Sequence, residues 1–148
     1  MYTEGQIIDM EFVFTANHKG HHETFACPDF HNPSQECFDK YRLEFIEDRS
    51  MEVYGTAANA PKDTNYPNRG YVNPTASHTA MRFKLPEGLT GDLVLLQWRY
   101  ITGNSCRSPG YDDYNYPPGW NPPNMAPCPE ILSPIGLGAP EQFWNCIE

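Results

Sequence analysis

The chain has 148 residues, enough for one domain with a core of its own. Fifteen prolines argue against a helical bundle, because proline breaks helix interiors, and an aromatic share of 14% argues against a disordered chain. The formal net charge of -9 argues against nucleic acid as a partner, since that affinity comes mainly from Lys and Arg on phosphates, and no apolar run approaches the roughly 20 residues of a membrane span.

In chain order, Ile7 to Thr15 partly alternates, with Ile8, Met10, Phe12 and Phe14 on one face, the period of a strand. Asn17-His18-Lys19-Gly20 reads as a turn and His21 to Ala26 as a returning strand, which predicts a hairpin with His18 at its tip. Pro28 to Gln35 is loop. Phe38 to Ile46 carries Tyr41, Leu43 and Phe45 in alternation and reads as a strand, with a short helix around Glu36 to Tyr41 as the other option. Thr56 to Ser77 is a long polar loop. Thr79 to Leu85 holds Met81, Phe83 and Leu85 at period two, and Pro86-Glu87-Gly88 turns the chain. Asp92 to Ile101 is the strongest core strand. Gly103 to Gly138 is a second long loop, rich in Pro and Tyr, and Pro140 to Glu148 closes with a turn and a strand. Short strands divided by turn residues, without strand–helix alternation, predict an all-β sandwich in a single domain over residues 1–148, expected to be incomplete at the N-terminus and by a few residues at the C-terminus.

The five cysteines form no CxxC pair, so the usual zinc spacing is absent. They lie in proline-rich loops and read as disulfide staples of a secreted protein, with Cys27–Cys37 and Cys106–Cys128 as the local pairings. Free thiols in a cytosolic protein are the alternative. Cys146 is left over, either as a free thiol or with a partner outside this chain. Met1 to Gln6 shows no signal peptide, which a disulfide-bearing protein needs. The expectation is therefore that residues upstream carry both the signal peptide and the partner of Cys146.

Three constellations bear chemistry. His18 in the turn is placed to hold a metal, with Ala16 leaving open space on the same side, although a solvated turn histidine is the plainer reading. Adjacent strand residues face opposite ways, so at most one of His21 and His22 can join it. His31 and His78 read as solvated loop residues. Pro140 to Cys146 packs Glu141, Gln142, Phe143 and Trp144 against a cysteine, which can hold a carboxylate beside a site with a ring over one face. The alternative there is an ordinary strand start with Phe143 in the core. Tyr111, Tyr114, Tyr116 and Trp120 in the second long loop can stack on sugar rings or else pack that loop onto the sandwich. Asp112 and Asp113 read as solvated.

Thr15-Ala16-Asn17-His18-Lys19-Gly20 with Cys27-Pro28, then Gln35-Glu36-Cys37, then Leu95 to Tyr100 running into Gly103-Asn104-Ser105-Cys106, then Pro140 to Cys146, resemble in this order the lytic polysaccharide monooxygenases. The nearest likeness is to the branch of invertebrates, oomycetes and algae and to chitin-binding type-4 domains. The resemblance implies an immunoglobulin-like or fibronectin-III-like β-sandwich with long disulfide-stapled loops. It also implies one copper ion in a histidine brace, where an N-terminal histidine supplies its amino group and imidazole and an internal histidine the third nitrogen. His18 matches the internal histidine, Phe143 the non-ligating axial ring, Glu141 the acid or amide beside the bound oxygen species, and Ala16 a small residue by the axial face. The chain begins with Met1, so the brace histidine is not in it, and the family's N-terminal-half cysteine would pair with Cys146. What the resemblance implies of activity is copper-dependent oxidative cleavage of chitin, cellulose or pectin by a secreted protein, expected to be monomeric. A non-catalytic carbohydrate-binding or extracellular structural module on the same sandwich is the main competing function, and a secreted copper-handling protein is a third.

Overall fold

A computed structural model describes residues 2–129 and 139–147. Its strands are β1 (Ile7–Val13), β2 (His21–Cys27), β3 (Glu44–Asp48), β4 (Gly70–Tyr71), β5 (His78–Lys84), β6 (Leu95–Ile101) and β7 (Gln142–Ile147), with short helices α1 (Gln35–Lys40) and α2 (Ser50–Tyr54). The strands form a three-stranded sheet in the order β1-β5-β3 and a four-stranded sheet in the order β4-β2-β6-β7. All named pairings are antiparallel. This is the β-sandwich architecture, and no described helix is long and apolar enough to cross a membrane.

Period-two patterning makes the sandwich. In β1 the inward residues Ile8, Met10 and Phe12 are buried and their neighbours exposed. They meet Leu43, Phe45, Met81, Phe83 and Tyr100 in one continuous core. Burial of such side chains contributes roughly 1.5–3 kcal/mol each.

The expected hairpin of β1 and β2 does not form. β1 pairs with β5, β2 pairs with β6 and β4, and the turn at Asn17–Gly20 is an arch that carries the chain from one sheet to the other. Phe12 of β1 therefore faces His22 of β2 across the core, with ring centroids 4.4 Å apart. The apolar face of β1 lies over His22, Thr24 and Ala26 of β2, which is buried on both faces, and this stacking buries apolar surface that a side-by-side pairing would leave open.

Between β2 and β3 the chain takes the helical option at Gln35–Lys40 and starts the strand only at Glu44. Ser34 caps the helix by accepting from the Cys37 amide at 3.2 Å, and Glu36 pairs with Lys40 one turn on. The loop from Thr56 to Ser77 contains the two-residue β4, and α2 precedes it without a strong sequence signal, ending where Gly55 turns left-handed at φ 69°. His78 starts β5 rather than lying in a loop, and β6 begins at Leu95 rather than Asp92. Part of the second long loop, residues 130–138, lies outside the described residues.

Disulfides close Cys27–Cys37 and Cys106–Cys128, and Cys146 is an exposed free thiol on β7. The second bond closes 22 positions, and the first docks α1 onto β2. Replacing both Cys106 and Cys128 by Ser is expected to cost about 3 kcal/mol, from the freedom returned to the unfolded chain. Urea midpoints of the variant and the parent check this, and equal midpoints would contradict it.

Candidate functional site

The arch between β1 and β2 is held from several sides. Asn17 donates its side-chain amide to the carbonyls of Asn73 and Ala76 at 2.8 and 2.7 Å, and its Oδ1 accepts from the Lys19 amide. Lys19 sits at φ 57° and Gly20 at φ 90°. A Cβ at Gly20 would fall 2.0 Å from the Ile101 carbonyl oxygen, so only glycine allows this close approach to β6.

His18 lies within this rigid arch. Its amide donates to the Tyr100 hydroxyl at 2.9 Å, and its carbonyl accepts from the Gly103 amide at 2.9 Å. The Tyr100 hydroxyl in turn donates to the Lys19 carbonyl at 2.7 Å. Burial pushes this phenol up to about 12, and Glu141 adds to the rise while the His18 amide opposes it. It stays protonated at neutral pH and keeps that donor. Among the described residues no hydrogen bond engages the His18 imidazole, and the residue is half-buried.

Tyr100 also reaches the closing strand. Its ring stacks on Phe143 with centroids 6.0 Å apart. Phe143 is 46% exposed rather than part of the core. β7 lies at the edge of its four-stranded sheet, and all but its first residue are exposed. Glu141, just before β7, is tied to the segment after β6. Its amide donates to Ser105 Oγ at 2.8 Å, its carbonyl accepts from the Thr102 amide at 3.0 Å, and its carboxylate accepts from Asn104 Nδ2 at 3.0 Å. The arch with His18 and the segment with Glu141 and Phe143 thus share one scaffold, Tyr100 to Ser105, at one end of the sandwich. Ala16 is exposed on the arch beside them.

The other sequence candidates lie elsewhere. Tyr111, Tyr114 and Trp120 are buried and Tyr116 is partly buried, packed with Tyr71 and Ala60. Tyr71 stacks on Tyr114 at 3.5 Å between centroids, and Tyr111 bonds to His21 Nδ1 at 2.5 Å. Tyr111, Tyr114 and Trp120 present no open face to a sugar, which corrects their reading as substrate contacts, and Tyr116 is turned partly into the same cluster. They fold the loop down because each ring is large, and inside it the Tyr114 hydroxyl donates to the Pro61 carbonyl and the Tyr111 hydroxyl meets His21 Nδ1, while the buried Tyr116 hydroxyl finds no partner among the described residues. His21 and His22 are both buried, on opposite faces of β2, and neither joins His18. Asp112 and Asp113 are exposed, with Asp112 paired to Arg107 at 3.0 Å.

Sequence reasoning assigns no role to Tyr100, Thr102, Asn104 or Asn17. The first three lie in or beside the strand that runs into Cys106, but nothing local shows that Tyr100 touches the arch. Among the described residues no group of three His, Cys, Asp or Glu side chains converges to hold a metal ion. A copper site of nitrogen donors needs more than one imidazole, so these residues do not complete one.

The architecture and this end of it define a class: a disulfide-held β-sandwich in which the arch carrying His18 and the closing segment carrying Glu141 and Phe143 are both tied to Tyr100–Ser105. The family described as "Lytic polysaccharide mono-oxygenase, cellulose-degrading" matches residues 1–148, and the chain belongs to the lytic polysaccharide monooxygenase family. Among solved structures it is similar to "Lytic Polysaccharide Monooxygenase AA15 from Thermobia domestica in the Cu(I) State", with 21% identity and a TM-score of 0.58 over 98% of this chain and 58% of that one. At that identity the likeness is one of fold, and the chain spans less than two thirds of that protein's length. Comparison with curated proteins finds no significant match.

Proposed function

We propose that this chain belongs to a secreted, copper-dependent monooxygenase that cleaves a polysaccharide oxidatively. The supporting observation is that His18, Glu141 and Phe143 are tied through one scaffold, Tyr100 to Ser105. His18 would supply one ligand nitrogen. The remaining nitrogens we assign to an N-terminal histidine of the full-length protein, outside residues 1–148. Bound there, copper with a reductant and oxygen or peroxide supplies the oxidising power for attack beside a glycosidic bond. Phe143 has no donor atom and would wall the site without ligating. The Glu141 carboxylate would hold or pass a proton at Oε1 or Oε2, a role beyond the ligand set. Ala16 would leave space beside the ring. A net charge of -9 favours a neutral polymer such as cellulose or chitin over an anionic one such as pectin. Two disulfides suit an oxidising, extracellular setting.

The test uses the full-length protein, secreted and loaded with copper. Incubation with cellulose, chitin and pectin, reductant and peroxide is expected to release oxidised oligosaccharides from at least one polymer. His18→Ala is expected to abolish both this product and tight copper binding. A non-catalytic carbohydrate-binding module is the second reading, favoured by the absence of a three-donor cluster among the described residues. Polymer binding without any copper-dependent product would select it and sink the enzyme.

A further inference from the structure

Glu141 is held by more contacts than a terminal strand needs, and one of them acts on its carboxylate. Asn104 Nδ2 donates to Glu141 Oε2 at 3.0 Å. The other side of that amide is fixed: Thr102 Oγ1 donates to Asn104 Oδ1 at 2.5 Å. Thr102 is fully buried, and its hydroxyl also lies 3.1 Å from the Glu141 carbonyl. The amide of Asn104 therefore has a direction. Among the described residues the Thr102 hydroxyl is the side-chain donor that reaches Oδ1, and the carboxylate accepts, so Nδ2 must face Glu141. The adjoining Gly103 is clamped between the His18 carbonyl and Pro123, where a Cβ would fall 2.5 Å from the Pro123 ring. Ser105 binds the Glu141 amide and Cys106 is in a disulfide, so the peptide carrying Asn104 has little room to move.

We propose that Asn104 is the positioning residue of Glu141, oriented in turn by the Thr102 hydroxyl, and that it sets where the carboxylate stands relative to His18. The inference rests on the reading of Glu141 given above. Asn104 touches no reacting atom. It acts by removing the rotamer freedom of an exposed glutamate, which would otherwise sample several staggered positions. The chain Thr102–Asn104–Glu141 passes no proton and only selects one geometry, and this is why an amide suffices there.

The test has an arm that needs no metal. In the full-length protein, metal-free and labelled with 15N-asparagine, the Asn104 side-chain amide is expected to show one downfield, slowly exchanging proton. That signature is expected to vanish in Glu141→Ala and in Thr102→Val. In the copper-loaded protein, Asn104→Asp, isosteric but with the donor replaced by a carboxylate that repels Glu141, is expected to lower kcat at least about tenfold, the scale of one lost hydrogen bond to a charged group. KM and the thermal midpoint are expected to stay unchanged, and Asn104→Gln to recover part of the loss. Inactive Glu141→Ala beside fully active Asn104→Asp would overturn the inference and leave the reading of Glu141 standing. Fully active Glu141→Ala would overturn that reading and the inference with it. An Asn104 amide signal unmoved by Glu141→Ala would overturn the inference on structure alone.

Discussion

Acidification below about pH 6 is expected to destabilise this protein steeply, through two buried histidines. His22 is fully buried between the sheets, stacked on Phe12 and Phe14 and flanked by Trp98 and Tyr100. Trp98 Nε1 donates to His22 Nδ1 at 2.9 Å. An indole N–H can only donate, so Nδ1 is bare, the ring is neutral, and its proton sits on Nε2 near Thr79 Oγ1 at 3.4 Å. Burial holds the His22 pKa well below its ordinary 6.5, and His21 pushes the same way. Burial also lowers His21, assisted by Arg69 and opposed by Glu23. In the unfolded chain both rings take up protons near 6.5, whereas the folded state leaves them neutral to lower pH. The unfolded state then binds more protons, so stability is complete above about pH 7 and falls as pH drops below about 6.5. The slope is about 1.4 kcal/mol per pH unit for each histidine over the range in which its folded form stays neutral. The loss accumulates as pH falls until the folded rings themselves take up protons, and it is carried furthest by His22, whose pKa is held well below the ordinary value. Urea midpoints between pH 7.5 and 4.5 measure the slope, and His22→Gln should roughly halve it. A flat profile would show that these rings are not neutral in the fold.

Tyr100→Phe is the second change with a large expected effect. It keeps the ring, with its stacking on Phe143 and its contacts to Phe14, His22 and Trp98. It deletes the oxygen that accepts from the His18 amide and donates to the Lys19 carbonyl. Both backbone groups are partly buried, and each left without a partner costs about 1–2 kcal/mol. A loss of about 2–3 kcal/mol in stability is expected, with faster amide exchange confined to the arch. Under the proposed function, copper affinity of the full-length protein falls as well, because the imidazole is no longer held ready. A Tyr100→Phe variant within about 0.5 kcal/mol of the parent would show that the arch is held by Asn17 and Gly20 without it.

The elements legible from sequence were those whose signal is local. Alternation in Ile7–Val13 and His78–Lys84 reports a strand with one apolar face, because side chains on a strand point alternately up and down. Cys27 and Cys37 are close in the chain, and so are Cys106 and Cys128, which makes their bonds the short-loop ones. The motif order through His18 and Glu141-Gln142-Phe143 carried the family, and the whole-chain family match agrees with it. The helix at Gln35–Lys40 was legible only as an option, because Phe38, Tyr41 and Leu43 suit either period and the Ser34 cap decides.

Residue pattern along the chain thus specified which segments are strands, which faces are apolar and which cysteines lie within reach of each other, since all of these follow from neighbours a few positions apart. Tertiary structure alone decided that Asn17–Gly20 is an arch and not a hairpin, that the rings of Tyr111, Tyr114 and Trp120 point inward, and that Asn104 meets Glu141. A turn of four polar residues serves either connection, a tyrosine is at home in water or in a core, and a bond across 37 positions leaves no local trace. Those outcomes depend on how two sheets stack, and stacking is set by the summed burial of the whole chain rather than by any stretch of it.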